Sequence, residues 1–255
     1  MTTALVTGGT SGIGAAFART LAQRGHDLVL VARDADRLDA TATELRARYG
    51  IEVEVLVADL ANRDDVLQVA ERLESVEQPV DLLVNNAGFG VRTRLIDADT
   101  SPHEHAIDVM IRAVLILAGT AGRTMKSRGR GSIINVSSTA GYITMGTYSP
   151  IKAWVTIYTE GLANELAGSG VTVTALCPGW VRTEFHERAA IGTGKIPDPL
   201  WLEADRLVAD CLADVERGKV ISIPSKRYKT VAFGLRHLPR GAVRAISRKL
   251  SSSRH

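Results

Sequence analysis

Cysteine is scarce: Cys177 and Cys211 are the only two in 255 residues, and neither has a His or Cys neighbour. That spacing suits neither a disulfide framework nor a metal site, so two buried thiols and no metal are expected. Aromatic residues make up only 5% of the chain. Without aromatic platforms between its basic residues, it is not expected to bind nucleic acid. Long apolar runs are missing too. The uncharged stretch from Gly131 to Ile151 carries Asn135, Ser137, Ser138, Thr139 and Pro150, polar groups and a helix breaker that make it a poor membrane span. The chain enters a strand-like run at Ala4 with no basic and apolar leader before it, and a cytoplasmic location is expected.

Acid is missing from one region. The whole chain has 31 Lys and Arg against 28 Asp and Glu, yet residues 217–255 hold eleven of the basic residues and none of the acidic ones. The body is therefore net acidic and the end strongly basic. Arg240, Arg244 and Arg248 recur every fourth residue, with Val243, Ile246 and Leu250 on the other side of a helix that Pro239 can start. Three readings stay open: a solvated helix packed by its apolar stripe, a contact with an anionic membrane surface, and an acidic partner.

The rest of the chain alternates strand and helix. Apolar or β-branched runs at 4–7, 28–32, 53–58, 81–85, 132–137 and 171–176 are separated by helix-length stretches. Helical spacing appears at 15–23, 35–49, 66–76 and 103–126, and Gly25, Gly50 and Gly170 stand at expected helix ends. The pattern predicts an α/β fold, a Rossmann-type doubly wound parallel sheet, with residues 1–223 as the domain and 224–255 as a basic, helical C-terminal extension.

The first strand runs directly into Thr7-Gly8-Gly9-Thr10-Ser11-Gly12-Ile13-Gly14 and a helix. Glycines let main-chain N–H groups approach an anion, and the helix N-terminus adds partial positive charge at the same place. Three further motifs follow at strand ends: Asn85-Asn86-Ala87-Gly88, Tyr148-Ser149-Pro150-Ile151-Lys152, and Pro178-Gly179-Trp180-Val181-Arg182-Thr183-Glu184. In this order they resemble the short-chain dehydrogenase/reductase family over residues 2 to about 223. The resemblance implies a nicotinamide cofactor, hydride transfer between it and a carbonyl or alcohol, and a homo-oligomer.

On that resemblance the cofactor is held by Gly8, Thr10, Ser11, Gly12, Ile13, Gly14, Asp59, Leu60, Asn86, Ala87, Gly88, Pro178, Gly179, Val181 and Thr183, with Tyr148 and Lys152 at its reactive end. The second strand ends in Ala32-Arg33 where an acidic residue would hold ribose hydroxyls. Arg33, with Ser11, offers donors for a 2′-phosphate instead, so NADP(H) is expected rather than NAD(H), with Asp34 as the competitor if its carboxylate turns inward.

Tyr148 and Lys152 are four apart on one helix face, where an ammonium can lower a phenol's pKa. The family places a general acid/base at Tyr148, its tuner at Lys152 and a carbonyl-binding hydroxyl at Ser138, with Ser137 as the fallback because neighbouring strand residues face opposite ways. Met110 departs from the family, standing where an Asn usually anchors a proton-relay water; a thioether is a poor substitute. An apolar roof is expected from Phe185, Ile191, Ile196, Pro197, Leu200 and Trp201, which leaves lipid, steroid and ketoacyl carbonyl compounds open as substrates. The alternative function is a weakly catalytic NADP(H)-binding or membrane-docking protein on the same fold.

Overall fold

The computed structural model describes residues 2–183 and 197–252, the last three by their backbone. In chain order the elements are β1 (Thr3–Thr7), α1 (Gly12–Gln23), β2 (Asp27–Ala32), α2 (Ala35–Tyr49), β3 (Val53–Val57), α3 (Arg63–Leu73), β4 (Val80–Asn85) and α4 (Ser101–Ile107). A π-helical turn (Asp108–Arg112) joins α4 to α5 (Ala113–Arg128), followed by β5 (Gly131–Val136), a 3-10 turn (Thr139–Tyr142), α6 (Tyr148–Glu165) and β6 (Val171–Leu176). Then come β7 (Trp180–Arg182), β8 (Trp201–Glu203), α7 (Ala204–Glu216), β9 (Ile221–Ser222), α8 (Lys226–His237) and α9 (Arg240–Ser252).

The six expected strands form one parallel sheet with β9 in the order β3-β2-β1-β4-β5-β6-β9. Their near-continuous apolar sequences follow from burial on both faces. On one face Phe17, Leu21, Leu38, Leu45 and Leu207 pack against Ala4, Val6, Leu28 and Leu30. On the other, Val66, Val69, Leu117, Met125 and Ile151 cover Leu5, Val29, Leu83 and Ile133. Strand alternation thus divides the core into two layers, as a doubly wound Rossmann-type single domain requires.

Capping sets several helix ends. Asp34 accepts from the backbone N–H of Arg37 and starts α2, which Gly50 ends at φ 65°. Asn62 accepts from the N–H of Asp64 and starts α3 at Arg63, three residues before the apolar spacing indicates. Residues 101–128 make a helical stretch long and apolar enough by length and composition to cross a membrane. Here its apolar side, including Ala113, Leu117, Ala121 and Met125, is buried in the core. Both cysteines are buried free thiols.

Two connections lay beyond sequence patterning. The parallel pair β7–β8 joins residues distant in the chain. The two-residue β9 is held by the N–H of Ala175 on Val220 O and of Cys177 on Ser222 O, both at 2.8 Å. The basic end does not hang free: Tyr228, Ala232, Val243 and Ser247 are buried. Of the α9 stripe, Val243 is buried while Ile246 is exposed.

Candidate active site

The glycine-rich turn is tied to its surroundings by backbone contacts that side chains would obstruct. Gly8 takes φ 68°, and its N–H donates to Val31 O at 2.7 Å. A Cβ on Gly14 would lie 2.1 Å from Gly8 O and 2.4 Å from the Asn86 amide nitrogen, so only glycine fits there. The Asn86 amide donates to Thr7 O at 2.9 Å and Gly8 O at 3.3 Å. Thr7 Oγ1 accepts from the N–H groups of Asn86 and Ala87 at 2.9 and 3.1 Å. Asn86 is therefore a brace of the cradle, and Thr7, inside the motif but unassigned from sequence, is its partner.

Other expected cofactor residues separate into two groups. Thr183 reaches the cradle: its Cβ lies 3.4 Å from where a Gly12 Cβ would stand. Ser11 is the N-cap residue of α1 in extended conformation. Asp59 accepts from the N–H of Ala61 at 3.0 Å, whereas the Leu60 side chain is buried in the core. Val181 is also buried. Pro178 O accepts from the N–H of Thr139 at 2.9 Å. A Cβ on Gly179 would fall 2.0 Å from the ring of Tyr228, so this glycine makes room for α8.

At the end of β2, Arg33 is exposed. The carboxylate of Asp34 accepts from the Arg37 N–H at 3.1 Å through Oδ1 and so caps α2. Arg37, in the first turn of α2, sends a guanidinium nitrogen to Thr10 O at 3.3 Å. Sequence reasoning passed over it.

Ser138, Tyr148 and Lys152 come together at the carboxyl ends of β5 and β6. Ser138, two residues past β5, caps the 3-10 turn, accepts from the N–H of Ala140 at 3.0 Å and is hydrogen-bonded to Tyr148. Ser137 faces the core, donating to Lys152 O at 2.7 Å and bonding Thr156 Oγ1 at 2.7 Å, so the fallback is closed. The buried Lys152 ammonium donates to Val136 O at 2.8 Å and lies 5.5 Å from the Tyr148 ring centroid. Behind it Asn135 accepts from Asn85 at 2.9 Å and donates to Thr159 at 3.1 Å, joining β4, β5 and α6.

The electrostatics differ from the sequence expectation. Burial pushes the Tyr148 phenol up to about 12, with the Ser138 hydrogen bond pulling the other way. Burial also pushes Lys152 down to about 8. Desolvation disfavours both charged forms, and at 5.5 Å from the ring centroid the ammonium does not override it. The phenol thus keeps its proton at neutral pH, and the lysine is poised to give one up. Such an arrangement can donate a proton to a developing alkoxide.

Close contacts link the two halves. A Cβ on Gly8 would sit 3.2 Å from Ala87 Cα, and one on Gly88 would sit 3.7 Å from Lys152 Nζ and 3.1 Å from Met110 Sδ. Met110 lies in the π-helical turn, buried beside Gly88. A cavity of about 330 Å³ lined by Thr10, Ser11, Gly12, Arg19, Arg182 and Thr183 touches the cradle but none of the three candidate catalytic side chains. Of the expected roof, Phe185, Ile191 and Ile196 lie outside the described residues, as does Glu184; Trp201 meets Trp180 edge-on at 6.1 Å.

Comparison with known proteins agrees with this geometry. The family model described as short chain dehydrogenase matches residues 2–192. A putative ketoacyl reductase of monensin polyketide synthesis from Streptomyces virginiae is 40% identical over 199 residues, covering 74% of each chain. A very-long-chain 3-oxoacyl-CoA reductase from Anas platyrhynchos is 35% identical, covering 74% of this chain and 68% of that one. Among solved structures, a short-chain dehydrogenase from Sphingobium yanoikuyae in complex with NADPH superposes with a TM-score of 0.84 at 35% identity, over 92% of this chain and 94% of that one. Sequence motifs, sheet order and relatives thus agree, and the chain belongs to the short chain dehydrogenase family of oxidoreductases.

Proposed function

We propose that the protein is an NADP(H)-dependent reductase of apolar carbonyl compounds, with the reverse alcohol oxidation open to it. The observation that carries the reading is the run of close contacts from the glycine cradle through Ala87 and Gly88 to the Lys152 ammonium, with Tyr148 and Ser138 hydrogen-bonded beside it.

The residues fit such a cofactor. Gly8, Gly12 and Gly14 keep the turn compact where a Cβ would meet Asn86, Thr183 or Gly8 O, and the N-terminus of α1 opens from the same turn. Arg33, Arg37 and Ser11 are the groups for a 2′-phosphate, Asp34 being occupied as a cap. Asp59, Leu60, Ala87, Pro178, Gly179, Val181 and Thr183 complete the assigned groove. When bound, the cofactor supplies a hydride to the carbonyl carbon. Ser138 holds the carbonyl oxygen, Tyr148 gives that oxygen a proton, and Lys152 replenishes the phenol through its charge and its own proton.

Relatives named for ketoacyl and 3-oxoacyl-CoA reduction, and a similar solved structure named as a bulky-bulky ketone specific alcohol dehydrogenase from Comamonas testosteroni, support a large apolar carbonyl substrate. Exposed Leu115 and Ile157, on α5 and α6, support pairing of subunits through those helices. A second reading, cofactor binding with weak turnover, draws on Met110, whose thioether cannot anchor a relay water as an amide would.

Fluorescence titration with NADPH and NADH, followed by NADPH oxidation across a panel of bulky ketones and ketoacyl thioesters, tests the proposal. Tighter binding of NADPH together with ketone-dependent oxidation is expected. NADPH binding with no oxidation on any ketone favours the second reading, and no binding of either nucleotide refutes both.

A further inference from the structure

The basic end of the chain has a defined place in the fold. Tyr228 of α8 lays its ring on Gly179, accepts from the N–H of Trp180 at 3.0 Å and donates to Leu200 O at 2.8 Å. Arg236 holds its guanidinium 5.9 Å from the Tyr142 ring centroid. From α9, Ser247 Oγ accepts from the N–H of Thr144 at 3.0 Å. Tyr142 and Thr144 both lie in the loop between Ser138 and Tyr148. The two helices therefore rest on the rim of the candidate active site, and their free faces border its mouth.

Those helices combine two properties. Arg240, Arg244 and Arg248 are exposed, one turn apart on α9, and none forms an ion pair with a described residue. The stretch from 217 onward contains no acid to neutralise them. Large apolar side chains are exposed on the same segment: Phe233 at 66%, with Leu238 and Ile246. A soluble phosphate-bearing ligand would be matched by the cations alone and gives no reason for apolar groups in water. An anionic bilayer surface matches both, since basic side chains meet headgroups while apolar ones enter the acyl boundary.

We propose that α8 and α9 form a docking face for anionic membrane lipid, which holds the mouth of the active site against the bilayer. Resting on the carbonyl-reductase reading above, this makes the substrate class lipid-borne: a carbonyl compound reaching Ser138 and Tyr148 from the membrane rather than from water.

Flotation of the full chain with phosphatidylcholine vesicles, with and without phosphatidylserine, tests the docking without any turnover. Binding is expected only with phosphatidylserine, and it is lost at ~1 M salt, where the Debye length shrinks to about 3 Å. Arg240→Gln/Arg244→Gln/Arg248→Gln should weaken it about 100-fold, at roughly fivefold per charge, and Phe233→Ser should weaken it at every salt concentration at which the wild type binds. Both variants should reduce a water-soluble ketone at the wild-type rate, which separates failed docking from failed chemistry. Equal binding to pure phosphatidylcholine, undiminished binding by the triple variant, or no vesicle binding at all overturns the proposal; salt-sensitive binding to an acidic protein in place of vesicles would assign the face to a protein partner.

Discussion

Lys152 and Tyr148 are shaped by the same force acting in opposite directions. Burial raises the phenol to about 12 and lowers the ammonium to about 8. In the reducing direction the phenol is thus fully protonated across the working range, and the lysine sets the pH dependence. Its charge is complete below about pH 8 and lost as pH rises through that value. The expected profile of kcat/KM for reduction, with NADPH as the varied substrate, is flat on the acid side and falls about tenfold per pH unit well above 8. A profile flat to pH 10 would remove the Lys152 charge from the chemistry. Sequence spacing identified the pair, but the sign of the phenol's shift was not legible. It depends on how much water the fold removes, a quantity that four-residue spacing does not carry.

At the scale of elements, the strands were legible because burial on both faces makes each one a near-continuous apolar run. β9 was not, because two residues carry no period; it exists through long-range bonds, including the Ala175 N–H on Val220 O at 2.8 Å. α3 starts at an Asn62 cap whose polarity the apolar spacing ignores. The π-helical turn holding Met110 leaves no trace in periodicity either. Of the Pro178–Thr183 motif, Gly179 shows how one residue ties an element to another. Gly179→Ala would drive a Cβ into the Tyr228 ring, and a loss of roughly 1–3 kcal/mol or more is expected. Gly161, inside α6, has nothing within 4 Å of its Cβ position, so Gly161→Ala should gain about 0.5–1 kcal/mol. Urea denaturation of both variants checks the contrast, and effects of the same sign would contradict the packing described.

The whole molecule divides its labour between the two halves of the sheet. The cradle and Arg33 belong to the β1–β2 side, while Ser138, Tyr148 and Lys152 belong to β5 and α6. The boundary expected at residue 224 marks a change of composition more than of structure, since Tyr228 and Ser247 are buried against the body. Charge counting could locate that change, but only packing reveals that the basic helices brace the rim between Ser138 and Tyr148. On the proposed assignment binding and proton transfer are separated in this way, and one substitution can divide them. Tyr148→Phe removes the hydroxyl and leaves the cradle untouched. Measured side by side, its NADPH dissociation constant should match the wild type while its turnover of a responsive ketone falls by about 10²–10⁴-fold; wild-type turnover by the variant would contradict the assignment of Tyr148 as the proton donor.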